Sequence, residues 1–185
     1  MSDTIPRLSA NEMPPALASF LSPRVKRLGY LGEFFQCTAH QPEALLSFLE
    51  FTEHLKHALP SNLTEVIALS VAVLMENDYE RIQHERLSLK LGFSAGWLRE
   101  VLSLASDGPR TLSQQEWVVQ QLVIAVAKRG GHKTTPEFEA VTQAIGPSHA
   151  IAVLMLIGRY VSHALIVNTL NLAPPPLAIA QEKEL

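Results

Sequence analysis

Glu80 and His84 lie four residues apart, the spacing that puts two side chains on one face of a helix, one turn from each other. A carboxylate beside an imidazole orients the ring and raises its proton affinity, the arrangement that general acid–base chemistry uses. Glu65, further upstream at the head of an apolar run, supplies a second carboxylate. Tyr79 and Asn77 flank the pair and offer hydrogen bonds to an oxyanion developing on a substrate. His84, Glu80 and Glu65 are therefore the candidate catalytic groups, and Asn77 and Tyr79 the candidate substrate-binding groups. None of this chemistry calls for a metal or a cofactor.

The elements around these residues must bring them together. Val66 to Met75 is apolar almost all round, with only Ser70 interrupting, so this helix is buried. On one straight helix Glu65 and Asn77 would stand ~18 Å apart at 1.5 Å per residue. They share a site only if the chain turns between them. Asn77-x-x-Glu80 is a capping box that starts a new helix at that point, and its N–H groups favour a nearby anion. Asn62-x-x-Glu65 reads as a second box, ahead of the apolar run.

The rest of the chain is helical in period, and no segment alternates with period two. Val25 to Thr38 reads as a first substantial helix, and Pro42 opens a second that runs to Ala58 before Pro60 ends it. Gly92 closes the central helical region, and Ser94 caps a short helix through Leu104. Asp107-Gly108-Pro109 is a turn. Ser113 and Glu116 form a capping box for a helix that Gly130-Gly131 stops after Lys128. Thr135-Pro136 opens a helix that Gly146 closes, and Pro147 starts a long last one ending near Asn171. The tail with Pro174-Pro175-Pro176 is extended. The expected class is all-α, as a single domain over 1–185.

Composition narrows the function. Hydrophobic residues make up 47% of the 185 residues and charged residues 18%, below the roughly 25% usual for soluble domains. So much apolar surface on one compact chain points to burial between subunits. The net charge of −3 and pI near 6.2 leave no electrostatic footprint for nucleic acid. The apolar runs Val66 to Met75 and Ala150 to Ile157 fall short of the ~18 residues of a membrane span. The N-terminal arm holds prolines and charges instead of an apolar signal core, so a cytoplasmic protein is expected. One cysteine, Cys37, excludes an internal disulfide and a cysteine-based zinc cluster.

At the central residues the chain resembles the carboxymuconolactone decarboxylase and alkylhydroperoxidase-D superfamily. The run Leu63-Thr64-Glu65-Val66-Ile67-Ala68-Leu69, the stretch from Asn77 to Leu87 and Lys90-Leu91-Gly92-Phe93-Ser94 carry the resemblance. Leu156-Ile157-Gly158-Arg159-Tyr160 and Val167-Asn168 resemble the last helix of its longer branch. The resemblance implies an alkylhydroperoxidase-D-like multi-helix bundle, with a core over about 25–104, a helical extension over about 113–172 and a tail over 173–185. It also implies homo-oligomers: dimers, trimers or hexamers built on the central helices. By position Glu65 and His84 match the superfamily's Glu and His, while Asn77 and Glu80 occupy the places of its two redox cysteines. A thiolate is the nucleophile in that peroxidase chemistry, and neither an amide nor a carboxylate replaces it. The expectation that follows is a cofactor-free decarboxylase or lyase acting on a small carboxylated or lactone-like compound.

The same residues also have plain structural readings. Asn77 and Glu80 can serve as a helix cap alone, Glu65 can close its own box, and His84 can be an interior histidine satisfied by Glu80. The chain is then a non-catalytic helical scaffold with a degenerate site. Cys37 packs as a small hydrophobe, with a single peroxidatic cysteine as the alternative. Glu50, His54 and His57 share the polar face of one helix, read as solvated surface instead of a metal site. His149 and His163 are read as core or interface packing.

Overall fold

The computed structural model describes residues 4–105 and 111–174. They form eight helices and, among the described residues, no strand: α1 (Pro15–Leu28), α2 (Glu33–Thr38), α3 (Pro42–Ala58), α4 (Ser61–Leu74), α5 (Asp78–Lys90), α6 (Ala95–Ser103), α7 (Gln114–Arg129) and α8 (Thr135–Leu170). The Asp107 turn and the tail from Pro175 lie outside the described residues.

Most boundaries follow from the local chemistry. Ser94 Oγ accepts from Trp97 N at α6, and Ser113 with Glu116 forms a reciprocal capping box at α7. Gly130 ends α7 in the left-handed conformation. Gly146 has non-helical backbone (φ 81°, ψ 162°) and divides α8 into two segments, with Pro147 opening the longer one.

Three local expectations change. Val25 to Thr38 is not one helix, because α1 stops at left-handed Gly29 and α2 starts after Gly32. A Cβ at Gly32 would run into the Tyr79 hydroxyl, so that position accommodates glycine alone without a shift. The Asn62–Glu65 box does not form, since α4 begins at Ser61 without a side-chain cap. Asn62 Nδ2 instead donates to Glu116 Oε1 at 2.9 Å, and Glu65 turns inward to His84. At α5 only half of the box exists: Asn77 Oδ1 accepts from Glu80 N at 3.2 Å, while Asn77 N bonds Ala72 O. The turn between α4 and α5 is present, with Glu76 left-handed (φ 52°).

α4 is the centre of the bundle and packs against α5, α6, α7 and α8. Every residue from Leu63 to Ala72 is buried. Its one polar interruption, Ser70, accepts from Gln120 Nε2 at 3.1 Å, and the same amide donates to Val101 O at 2.9 Å, so the buried hydroxyl has a partner. A second apolar cluster joins α1, α2 and α3 to Tyr79, Val167 and Leu172. Because α8 contributes to both clusters, the two belong to one domain.

α8 is the one helix among the described residues long and apolar enough to cross a membrane, and 56% of its most apolar stretch is buried in the protein. That apolarity is used for packing: Ala150, Val153, Leu156, Ile157 and Tyr160 all lie in the core.

Glu116 ties three elements to the start of α7. It accepts from Ser113 N, Asn62 Nδ2 and Trp97 Nε1. Glu116→Ala orphans three donors at once and is expected to cost about 2–4 kcal/mol. Urea denaturation measures it, and a loss below about 0.5 kcal/mol, the range of a neutral surface change, would contradict this account.

Candidate active site

The turn at Met75–Asn77 folds α5 back along α4, so that Glu65 on α4 meets His84 and Ser88 on α5. His84 Nδ1 is 2.8 Å from Glu65 Oε2, and Ser88 Oγ donates to the same oxygen at 3.2 Å. On its other side His84 Nε2 faces Glu80 Oε2 at 3.2 Å and the Tyr160 hydroxyl at 3.2 Å. The imidazole is thus clamped between two carboxylates, and Glu65, Glu80 and His84 are 2%, 6% and 6% exposed.

Glu80 gathers the remaining groups. Its Oε1 accepts from Arg159 at 3.2 Å and lies 3.1 Å from His163 Nε2. An ionised carboxylate only accepts, so His163 carries its proton on Nε2. Its Nδ1 is left as an acceptor, facing Asn77 Nδ2 across a long 3.5 Å contact. Asn77 therefore has two tasks: its oxygen caps α5 and its amide nitrogen faces the His163 ring. Arg159 is anchored further by Thr52 Oγ1 at 3.1 Å, and its guanidinium lies over the Phe48 and Tyr160 rings.

These contacts set the protonation states. Burial pushes His84 toward neutrality, but the charge and hydrogen bond of Glu65, with those of Glu80, outweigh it and raise the pKa to about 9. Burial likewise opposes ionisation of Glu80, yet the facing His163, the His84 hydrogen bond and Arg159 hold its carboxyl well below the usual range. For His163 burial wins: with Arg159 and His84 also opposing its charge, and Glu80 only partly offsetting them, the pKa falls to about 4. At neutral pH the cluster holds a charged His84, an ionised Glu80, a neutral His163 and the Arg159 guanidinium. Burial raises the Tyr160 and Tyr79 phenols, so both stay protonated.

The structure brings Glu65, Asn77, Glu80 and His84 into one network. Tyr79 touches it through its ring, 5.8 Å from the ring of His163, and its hydroxyl engages the backbone of Phe34. Arg159, Tyr160 and His163 on α8, with Thr52 and Ser88, complete the cluster and were not among the residues singled out from the sequence. Arg159 and His163 stand four apart in an otherwise apolar helix, and that interruption is the signal that marks them. Glu50, His54 and His57 are exposed on α3. Cys37 is buried, far along the chain from the central helices, and lines a cavity of about 300 Å³ with Phe34, Thr38, Phe48 and Ile166. The Phe34 ring packs 4.1 Å from that of His163 and Phe48 underlies Arg159. The cavity and the network thus share an aromatic wall.

Two histidines give the stability of this cluster opposite pH dependences. The folded pKa of His84 lies above its ordinary 6.5, so its contribution is full below about pH 6.5 and lost as pH rises through about 9. The folded pKa of His163 lies below 6.5, so its contribution is full above about pH 6.5 and lost as pH falls toward about 4. His84→Gln is expected to flatten the alkaline side of a plot of thermal midpoint against pH, and His163→Gln the shoulder above about pH 4.5. Parallel curves for wild type and either variant would contradict the assignment.

No protein-family model matches the chain, and no curated protein matches it in sequence. Solved structures do match it in shape. The debrominase Bmp8 superposes with a TM-score of 0.80 at 12% identity, covering 95% of this chain and 94% of that one. An uncharacterized peroxidase-related protein with an alkylhydroperoxidase AhpD core, from Ralstonia eutropha JMP134, gives 0.75 at 16% identity, covering 92% and 90%. An AhpD-like protein of unknown function from Agrobacterium tumefaciens gives 0.68 at 16% identity, covering 76% of this chain and 96% of that one. With eight helices laid out as in these proteins, the chain has the alkylhydroperoxidase-D-like fold.

Proposed function

We propose that this chain is a carboxymuconolactone decarboxylase-like member of the superfamily whose site transfers protons and does no thiol redox chemistry. One observation carries the reading: His84 is held as an imidazolium between Glu65 and Glu80, with Glu80 at the place of a redox cysteine. A pKa of about 9 keeps His84 a proton donor at neutral pH, which is the property a general acid needs. The substrate class is a small carboxylated or lactone-like compound. In a decarboxylation the C–C bond to the carboxylate breaks, carbon dioxide leaves, and the electron pair remains as a dienolate. Arg159 stabilises the developing oxyanion, His84 delivers its proton to carbon, and solvent reprotonates the ring. Small planar compounds suit folds of this kind, since a cysteine-to-alanine variant of Bmp8 was solved with 2,3,4-tribromopyrrole.

A second reading has its own support. Both ring nitrogens of His84 already have partners inside the protein, as they would in a purely structural ion network. The two readings separate on turnover. A panel of small lactones, keto acids and peroxides is offered to wild type, His84→Ala and Glu80→Gln. The acid–base reading expects lactone or keto-acid turnover in wild type and a fall of about 10²-fold or more in both variants. Turnover in His84→Ala equal to wild type sinks it, and a panel without any turnover, together with a large stability loss in both variants, establishes the structural reading.

A further inference from the structure

α8 is nearly enclosed by its own fold. From Ser148 to Thr169 its strongly exposed positions are Ser148, Ile151, Met155, Gly158, Ser162, Leu165, Asn168 and Thr169. Leaving aside Asn168, whose amide is bonded to Met75 O, the spacing runs 3, 4, 3, 4, 3, 4. That is the a/d pattern of a seam between two helices, narrower than the face a helix shows to a globular core. None of the seven is charged, and Ile151, Met155 and Leu165 are 50%, 45% and 55% exposed. An exposed helix stripe without one Lys, Arg, Asp or Glu is unusual for a solvated surface.

The middle of the stripe is small. Gly158 sits inside the helix, where glycine costs about 1 kcal/mol relative to alanine, yet a Cβ there would meet nothing within 4 Å. Nothing in this chain's own packing requires glycine at that position. Ser162, one turn on, returns its hydroxyl to Gly158 O at 2.9 Å, so its polar group is satisfied within the helix. Gly158-x-x-x-Ser162 thus presents a flat, hydrogen-bond-neutral surface that lets a second backbone approach closely.

We infer that this face is where a second copy of the chain docks, α8 against α8, about a two-fold axis passing close to Gly158. The stripe is self-complementary in that arrangement. An antiparallel partner sets Met155 opposite Ser162, a bulky side chain over a small one, and brings the two Gly158 backbones together at the axis, as an isologous contact requires. The seam is ~32 Å long over 21 residues and about 10 Å wide, or on the order of 300 Å² per copy. That is below the ~800 Å² per partner of a standard interface, so the seam makes a reversible dimer and not an obligate one. The inference is independent of the acid–base reading. It does have a bearing on the cluster, because Arg159, Tyr160 and His163 project from the buried side of the same turns.

Sedimentation velocity on the full chain, from about 1 to 200 µM, tests it over the range expected of a small interface. Wild type should pass from monomer to dimer. Met155→Glu with Leu165→Glu should remain monomeric throughout with an unchanged helical circular dichroism spectrum. Gly158→Ala should raise the thermal midpoint, through helix propensity, while weakening the dimer roughly tenfold. Wild type that stays monomeric at every concentration overturns the proposal. So does a dimer that is indifferent to all three changes, or flotation of wild type with phosphatidylglycerol vesicles that the two glutamates abolish.

Discussion

The ionised carboxylate of Glu80 is the interaction on which the centre of this protein depends. It is 6% exposed, and an uncompensated charge at that depth would be prohibitive. Three groups on two helices compensate it: His84 one turn further along α5, and Arg159 and His163 on α8. Those partners are themselves fixed, Arg159 by Thr52 on α3 and His84 by Glu65 on α4. Four helices are therefore tied to one another through a single side chain and its neighbours. Removing one partner leaves an unbalanced buried charge, so the members of the cluster stand or fall together.

The arrangement follows from a break in the helix path. α4 is buried along nearly its whole length, so a polar site cannot lie within it except at a position paired from outside. Glu65 is that position, and Ser88 and His84 reach it only because α5 doubles back. The left-handed Glu76 and the Asn77 cap make the reversal. In the thiol peroxidases that the sequence resembles, this is where the sulfur stands. Here the same turn delivers a carboxylate, and the pocket of charge around it is balanced toward a protonated imidazole instead of a thiolate.

Much of this was legible in the sequence, and the parts that were not share a cause. The start of α3 at Pro42, the box at Ser113 and Glu116 and the cap at Asn77 are local events, decided by side chains within four residues of the backbone they satisfy. The split of the expected 25–38 helix was not legible. Gly29 and Gly32 are compatible with a helix at modest cost, and what forbids continuity is Tyr79, more than forty residues away, against Gly32. The same holds for Asn62 and Glu65, whose spacing satisfies a capping box and whose actual partners, Glu116 and His84, lie on other helices.

The candidate cluster divides along the same line. Glu80 and His84 are joined by helical periodicity, so the sequence alone determined that a carboxylate and an imidazole would share a face. It determined equally that no pair of thiols is available, because one cysteine cannot supply two. Only the tertiary structure decided which protons these groups carry. The raised His84 and the lowered His163 differ in nothing that composition or spacing records. One lies between two carboxylates, while the other is buried with one carboxylate in front of it and a guanidinium and a charged imidazole nearby. The Coulomb energy that separates them depends on distances through a low-dielectric interior, and those distances exist only once α8 has packed across α4 and α5.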